Sequence, residues 1–353
     1  MKRPLTTDDI EAAVIGGAVL GGGGGGFLEP GRRAARTALQ VGTPQLWTAD
    51  EFDPQDMVVT VGLVGAPAAP DAHVSAAHLL RAFELLRQSL PDKRRPVALH
   101  TNENGSETTI NGWLQSALTG LPVVDLACNG RAHPTSVMGA MGLHRVEDYT
   151  SVQAFAGGRS EKYLEGVVSG NMEATSSLVR RASVDADGWV GVARNPVTVD
   201  YAVSNGAPGA ISEAIEIGRR HLDGGIEAVA GYLGGQIVAQ GKVREYRCVQ
   251  SGGRDLGLVA LDDAAATVIH FANEYMTLEQ NGSRIARFPE LITTFAADGT
   301  PVPSAAVKEG QELMVLHAPV DRLPLARTMF MPELYEPLEE ALGFRFAPTD
   351  RVE

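Results

Sequence analysis

The sequence predicts an α/β fold in which an N-terminal Rossmann-like parallel-sheet domain is followed by a β-rich C-terminal domain. Between residues 56 and 126, apolar runs typical of buried strands alternate with amphipathic helical segments, and this order gives a parallel sheet with helices on its faces. From about residue 228, short apolar runs are separated by glycine-containing turns, as in antiparallel β structure. Because 353 residues exceed one ordinary core, we expect domains at 1–165 and 166–353, with part of the later chain able to return to the first domain.

The composition excludes several classes of partner. Charged residues make up 21% of the chain and the formal net charge is -13, which argues against nucleic acid or an anionic membrane as the main partner because phosphate binding requires clustered Lys and Arg. The N-terminus lacks the apolar core of a signal peptide, and no window contains 18 uninterrupted apolar residues. We therefore expect a cytoplasmic protein that acts on a small molecule and forms a homo-oligomer.

The N-terminal elements surround a run of six glycines, residues 21–26. Thr7 and the acids after it predict a helix start, and this helix ends at the glycine run, which a second helix at about 31–40 follows. Three interpretations stay open: a loop whose amides bind an anionic group of the substrate, a close-packing segment, or a dinucleotide site. The last lacks the strand that a Rossmann fingerprint requires before its glycines. The first assigns substrate binding to Gly22, Gly23, Gly24 and Gly25.

The predicted parallel sheet has three strands. They are at 56–65, 96–99 and 121–126, with helices at 74–90 and from Ser106 or Thr108 to about 118. Ligands in such sheets bind beyond the carboxyl ends of the strands. We therefore expect the segments at 65–67, 100–105 and 125–134 to converge on one site.

The second half of the chain predicts helices and then mainly strands. The helices are at 171–182, 211–222 and, near the C-terminus, 331–342. The strands are at 189–193, 256–261, 266–271, 284–288 and 312–317, with a hairpin at 236–248 that turns at Gln240–Gly241.

The segment 125–134 carries more reactive side chains than a turn requires. Asp125, Cys128, Asn129, Arg131 and His133 lie within nine residues of one another. Cys128 is a candidate nucleophile, because Arg131 and His133 would favour its thiolate; it is also a candidate metal ligand, or a small buried hydrophobic residue. Without a C-x-x-C pair in the chain, a zinc ribbon and a thioredoxin-like motif are excluded.

Other candidates come from the neighbouring strand end. His100 with Cys128 and His133 would form a thiolate–imidazole site suited to zinc or copper. Glu103 is the best general-base candidate, with a solvated loop acid as the alternative. Asp125 would orient an imidazole or pair with Arg131, or else cap the next turn.

The remaining assignments concern binding and packing. Asn104, Asn129 and Arg131 are candidates to hold the substrate, whereas Cys248 is expected to pack in a strand. We expect Asn273–Glu274 at the domain interface, with a place in the site as the alternative.

The chain resembles the S-methyl-thiohydantoin desulfurase-like family over nearly its full length. The resemblance is carried by the ordered set of segments comprising the glycine run after the first helix, the loop from Asp125 to Pro134 with Gly130-Arg131-Ala132, Asn273-Glu274-Tyr275, Arg287-Phe288-Pro289-Glu290-Leu291-Ile292, Gly310 and Val315. It implies an N-terminal α/β domain, a β-rich C-terminal domain and a substrate with a hydantoin-like ring. The chain departs from the usual pattern at Ala127, His133 and Thr135, where many relatives have an acid, an aromatic residue and an acid.

The activity implied by the resemblance is hydrolysis of an S-methyl thiohydantoin to a hydantoin, with release of methanethiol. On this hypothesis, Cys128 or a metal-bound water attacks a ring carbon and Glu103 or His133 moves the proton. The alternatives are a non-catalytic, ligand-binding partner of a hydantoinase and a nucleotide-binding protein that uses the glycine run.

Overall fold

The computed structural model describes residues 1–65, 69, 71 and 73–347. Its N-terminal part begins with strand β1 (Lys2–Pro4) and helices α1 (Thr7–Gly21) and α2 (Leu28–Val41), with the glycine run between the helices. Strand β2 (Gln45–Trp47) and the longer β3 (Met57–Gly65) follow. The predicted turn residues Ala66 and Pro67 lie outside the described residues.

The alternating segment continues as predicted from the sequence. Helix α3 (Ala76–Ser89), strand β4 (Ala98–Thr101), helix α4 (Trp113–Thr119) and strand β5 (Val123–Ala127) follow in order. The helix predicted from Ser106 or Thr108 is wrong at its start, because the residues before Trp113 form turns and Gly112 has a φ of 88°. That left-handed backbone favours glycine and ends the turn segment before α4 begins.

The middle of the chain returns to the same sheet. Strands β6 (Ser151–Gly157) and β7 (Leu164–Gly170), helix α5 (Met172–Asp185), strand β8 (Trp189–Thr198), helix α6 (Val199–Asn205) and strand β9 (Ala207–Pro208) precede the long helix α7 (Ala210–Leu233). The sequence pattern did not predict β6 and β7.

The first sheet has the strand order β1-β2-β5-β4-β3-β8-β6-β7, with β9 beside β5. The segment β2-β5-β4-β3 is parallel, and the remaining pairs are antiparallel. The α/β prediction is therefore confirmed, and the sheet is mixed beyond its predicted parallel centre. Its strands lie on both sides of residue 165, so the predicted boundary there does not separate the two sheets.

The C-terminal sheet is antiparallel. It contains β10 (Gln236–Ser251), β11 (Arg254–Asp262), β12 (Val268–Ala272), β13 (Glu274–Gln280), β14 (Ser283–Arg287), β15 (Leu291–Ala296) and β16 (Glu312–Ala318), in the order β14-β13-β12-β11-β10-β16-β15. Helix α8 (Glu336–Leu342) follows. The predicted β-rich second domain is confirmed.

The hairpin predicted at Gln240–Gly241 is wrong. These residues lie inside the continuous strand β10, whose first part pairs with β16 and whose later part pairs with β11. Gly241 does not adopt a positive φ, so the backbone has no tight turn there. Register shifts near Val238 and Arg244 instead mark bulges, which bend a strand without ending it.

Helices α1 and α7 pack on each other and on the C-terminal sheet, where they share one hydrophobic cluster that contains Val19, Ala214 and Phe295. Residues on all sides of α1 are buried, and a Cβ atom on Gly16 would lie 1.7 Å from the Ala214 carbonyl oxygen of α7. Only a residue without a side chain allows this approach. Within the described chain, no helix is both long and apolar enough to cross a membrane.

Candidate active site

A cleft of about 500 Å³ lies at the carboxyl ends of β3 and β4, where both halves of the chain contribute side chains. The volume includes the solvent at its mouth. Its charged and polar lining comes from the strand-end loops, from α5 and β8, and from the start of β13: Asn102, Glu103, Thr108, His133, Thr135, Ser136, Arg180, Arg194, Asn273 and Glu274. Gly25 and Gly26 of the glycine run also line it. The position at the strand ends is the one predicted from the sequence.

Glu103 and His133 are in direct contact in this cleft. Glu103 Oε2 lies 2.8 Å from His133 Nδ1 and also accepts a hydrogen bond from the His133 amide at 3.3 Å. The Asn129 amide fits its surroundings when its nitrogen donates to the carbonyl oxygens of Arg131 and Asn102, and its oxygen then accepts from His133 Nδ1 at 2.7 Å. These contacts fix the imidazole and hold one Glu103 oxygen in place.

The other nitrogen of the His133 imidazole, Nε2, faces the backbone and not a carboxyl group. A Cβ atom on Gly139 would lie 2.2 Å from His133 Nε2, so the backbone of Gly139 packs against that side of the ring. His133 therefore orients Glu103, and Glu103 is the group placed to act as a base.

Glu274 is a second carboxyl group in the same cleft. It begins β13 after Asn273, which has a φ of 61°, and it is buried against the glycine run. Its Oε2 has no hydrogen-bond partner among the described residues. Burial raises the pKa of Glu274 well above its usual range, and the negative charge of Glu103 raises it further.

Two arginines supply positive charge. Arg194 of β8 is fully buried, and its Nε and Nη1 have no hydrogen-bond partner within the described structure. Arg180 of α5 donates to the Gly253 carbonyl at 2.8 Å. Burial lowers the pKa of both side chains, that of Arg180 to about 9. Buried donors without partners are suited to an anionic ligand oxygen.

Cys128 lies beneath the cleft, in the core. Its Sγ is 3.4 Å from Thr60 Oγ1 and 3.8 Å from His100 Nδ1, and neither the cysteine nor His100 is exposed. Burial raises the pKa of the Cys128 thiol to about 11 and lowers the pKa of His100 to about 4. The expected stabilisation of the thiolate by Arg131 and His133 is therefore wrong, because desolvation dominates at this depth.

The three predicted metal ligands do not form one ligand set. His100 lies beside Cys128, whereas His133 Nδ1 is directed at Glu103. The described chain contains no group of three or more His, Cys, Asp or Glu side chains arranged to hold a metal ion. The predicted zinc or copper site does not fit this arrangement.

Asp125 and Asn104 form hydrogen bonds that connect neighbouring segments beside the site. Asp125 Oδ1 accepts from the amides of Ile211 and Ser212 at 3.1 and 3.0 Å, so it caps the start of α7. Asn104 Nδ2 donates to the carbonyls of Gly130 and Ala210, both at 2.9 Å. Neither contact involves the imidazole or guanidinium that the sequence suggested for Asp125.

Arg131 connects the strand-end loop to the C-terminal sheet. Its Nη1 donates to the carbonyls of Pro289 and Glu290, and its guanidinium carbon lies 4.7 Å from the centre of the Phe288 ring. Burial lowers its pKa to about 10. These contacts give Arg131 a structural place between the two halves of the chain.

The glycine run packs closely on several buried groups. A Cβ atom on Gly22 would lie 2.1 Å from Arg131 Nη2, and one on Gly24 would lie 1.9 Å from Glu274 Oε1. Gly23 and Gly25 approach Tyr275 and Gly105 in the same way. The run follows a helix, so the strand of a dinucleotide fingerprint is missing. The amides of Gly25 and Gly26 remain without a hydrogen-bond partner in the described part of the chain.

The sequence did not identify Arg180 and Arg194 as site residues, and it placed Glu274 first at the domain interface. An available signal was the charged Arg194 inside the apolar run 190–197, because a charge in a buried strand requires a partner or a function. Arg180 has no such signal, because it lies on an amphipathic helix with other charged residues.

Comparisons with known proteins agree with this architecture. The S-Me-THD-like N-terminal domain matches residues 8–162, and the S-Me-THD-like C-terminal domain matches residues 170–328. The chain is similar in fold to a crystal structure of a protein from Chromobacterium violaceum, with 19% sequence identity, a TM-score of 0.74 and coverage of 97% of this chain and 96% of the other. A comparison with curated proteins found no match. The chain belongs to the S-Me-THD-like family.

Proposed function

We propose that this chain is a hydrolase that adds water to the sulfur-bearing carbon of an S-methyl thiohydantoin, or of a related hydantoin-like cyclic amide. Family membership supports the substrate class. The observation that carries the proposal is the pair of carboxyl groups in one cleft: Glu103 contacts His133, and burial raises the pKa of Glu274. Two carboxyl groups in different surroundings are the usual arrangement for a base and an acid.

In the substrate, the reacting carbon has a double bond to a ring nitrogen and a single bond to the methylthio sulfur. Glu103 takes one proton from water as the new C–O bond forms, and Glu274 protonates the ring nitrogen. The adduct then expels methanethiolate as the C–S bond breaks. Glu103 returns its proton to the sulfur and the adduct hydroxyl returns one to Glu274, which yields hydantoin and methanethiol with both acids restored.

The cationic side of the cleft would hold the ring. The free Nε–H and Nη1–H groups of Arg194 and the amides of Gly25 and Gly26 are donors suited to a ring carbonyl or to charge that develops on it. Because these donors are buried and fixed, they stabilise such charge more strongly than water does. Arg194 lines the cleft and Arg131 does not, so Arg194 takes the substrate-holding role that the sequence suggested for Arg131.

A thiol mechanism is less well supported. The Cys128 thiol is buried, and its pKa is raised to about 11, so little thiolate exists at neutral pH.

The test is incubation of the purified chain with S-methyl thiohydantoin in ¹⁸O-labelled water. We expect methanethiol, detected with a thiol reagent, and hydantoin that carries the label on the former sulfur-bearing carbon. Binding of the ring without release of methanethiol would contradict hydrolysis and would favour a ligand-binding partner of a hydantoinase.

A further inference from the structure

A second cavity adjoins the cleft and has no part in the proposed hydrolysis. It encloses about 1580 Å³, solvent at its mouth included, and it shares Leu63 and Trp189 with the cleft. Residues that are adjacent in sequence line different cavities: Gly26 and Thr108 line the cleft, whereas Phe27 and Glu107 line the second cavity. Leu63 and Trp189 therefore form the border between the two cavities, and a molecule held in the cleft lies next to this space.

The walls of the second cavity are mainly apolar. They come from α2 and the residue before it, from α3, from α4 and the segment before it, and from β3 and β8, with Phe27, Leu63, Leu79, Ile110, Leu114 and Trp189 as the large side chains. A volume well above that of a hydantoin ring, with walls of this kind, is suited to a bulky hydrocarbon or aromatic group.

The titratable groups that line this cavity are Arg33, Arg159, His73 and Glu107. Glu107 Oε1 accepts from the Phe27 amide at 2.8 Å, and Arg159 Nη2 lies 2.8 Å from His73 Nδ1. Burial lowers the pKa of His73, and Arg159 lowers it further. Two exposed cations and one carboxyl give the lining a positive balance, which favours an anionic group.

We propose that this cavity binds the ring substituent of the substrate and that the substituent is a large apolar group with an anionic end. The apolar body would lie between Leu79 and Leu114, and the anionic end would lie near Arg33 and Arg159. This inference rests on the proposed function, because it assumes that the ring occupies the cleft.

The test compares S-methyl thiohydantoins with methyl, benzyl and 4-carboxybenzyl substituents, and it measures binding of the corresponding hydantoins by calorimetry. Ala34→Phe on α2 and Ala76→Phe at the start of α3 each reduce the cavity from a different wall. Arg33→Gln combined with Arg159→Gln removes both cations. Arg36→Gln is the matched control, because Arg36 is exposed on the same helix and does not line the cavity.

We expect wild-type kcat/KM to be about tenfold higher for benzyl than for methyl, and each phenylalanine variant to reduce that ratio about tenfold. The double arginine variant would lose a preference of about fivefold for carboxybenzyl over benzyl, which Arg36→Gln keeps. Turnover that is equal for all substituents and is unchanged in these variants would overturn the inference while leaving the hydrolysis intact. Substituent-dependent binding without methanethiol release would support the cavity assignment and contradict the proposed hydrolysis; no binding and no turnover would overturn both.

Discussion

Two pairs of reactive side chains lie at the same edge of the N-terminal sheet, yet they have opposite surroundings. His100 and Cys128 face Thr60 inside the core, where burial lowers the pKa of the imidazole to about 4 and raises that of the thiol to about 11. Glu103 and His133 follow the same two strands, β4 and β5, and line the cleft, where Glu103 Oε2 lies 2.8 Å from His133 Nδ1. Desolvation favours the neutral forms of the first pair, whereas the second pair faces the cleft.

The depth at which a reactive side chain is buried decides whether it can take part in a reaction. Cysteine is the stronger nucleophile by residue type, but burial raises the pKa of the Cys128 thiol more than the charge of Arg194 lowers it, and a thiol without access to solvent is a packing group.

Glu103→Gln is expected to reduce kcat/KM for S-methyl thiohydantoin by about 10² to 10⁴, the usual contribution of a general base. The glutamine keeps the shape of the side chain but cannot take a proton. Glu213→Gln on α7 is the control, because Glu213 is half-buried and bonded to Tyr232 away from the cleft. Activity of Glu103→Gln within threefold of the control would remove Glu103 from the mechanism.

Glu274→Gln is expected to reduce kcat/KM by about 10²-fold and to flatten the alkaline limb of its pH profile. The pKa of Glu274 is raised, so the proton needed for catalysis is lost as the pH rises through that value. The matched control is Glu279→Gln on the same strand, where Glu279 pairs with Arg284 at 2.9 Å. An unchanged alkaline limb in Glu274→Gln would contradict the role of this acid.

The same substitution has a second expected effect, on stability. Since the folded-state pKa of Glu274 is above its unfolded value, folding loses stability as the pH rises between the two values, and the loss persists above them. The melting temperature of Glu274→Gln relative to wild type should therefore increase by a few degrees, about 2 °C or more, between pH 5 and pH 8. A difference that is constant with pH would show that Glu274 is not protonated in the folded chain.

Arg194→Gln is expected to raise KM about tenfold with a smaller change in kcat, because it removes charged donors that would hold the ring before and during the reaction. Arg181→Gln serves as the control, since Arg181 forms an exposed ion pair with Asp185. Equal KM values in the two variants would exclude Arg194 from substrate binding.

Cys128→Ala is expected to keep turnover within about threefold of wild type and to lower stability by about 1 kcal/mol, because it removes a buried side-chain atom from the core. Denaturant unfolding measures the second effect. Loss of turnover with unchanged stability would show that the Cys128 thiol takes part in the reaction.

Much of the fold was predictable because its sequence signals are local. The strands β3, β4 and β5 are apolar runs, and the loops after β4 and β5 were located correctly. Strand β10 was divided incorrectly because glycine is typical of turns, whereas Gly241 lies in a strand with partners on both sides. That pairing depends on residues 312–317, far away in sequence.

The site was predictable only in part for the same reason. Glu103 and His133 were candidates individually, but their pairing depends on how the loops after β4 and β5 fold back on each other. The unpartnered donors of Arg194 and the raised pKa of Glu274 arise from burial between the two halves of the chain. Burial at this depth is a tertiary property that residue type does not reveal.

The most direct measurement is methanethiol release by wild type, Glu103→Gln and Cys128→Ala, assayed together on S-methyl thiohydantoin. We predict that wild type and Cys128→Ala release methanethiol at rates within about threefold of each other and that Glu103→Gln is slower by about 10² or more. An inactive, folded Cys128→Ala beside an active Glu103→Gln would contradict the assignment of the chemistry to the carboxyl groups of the cleft.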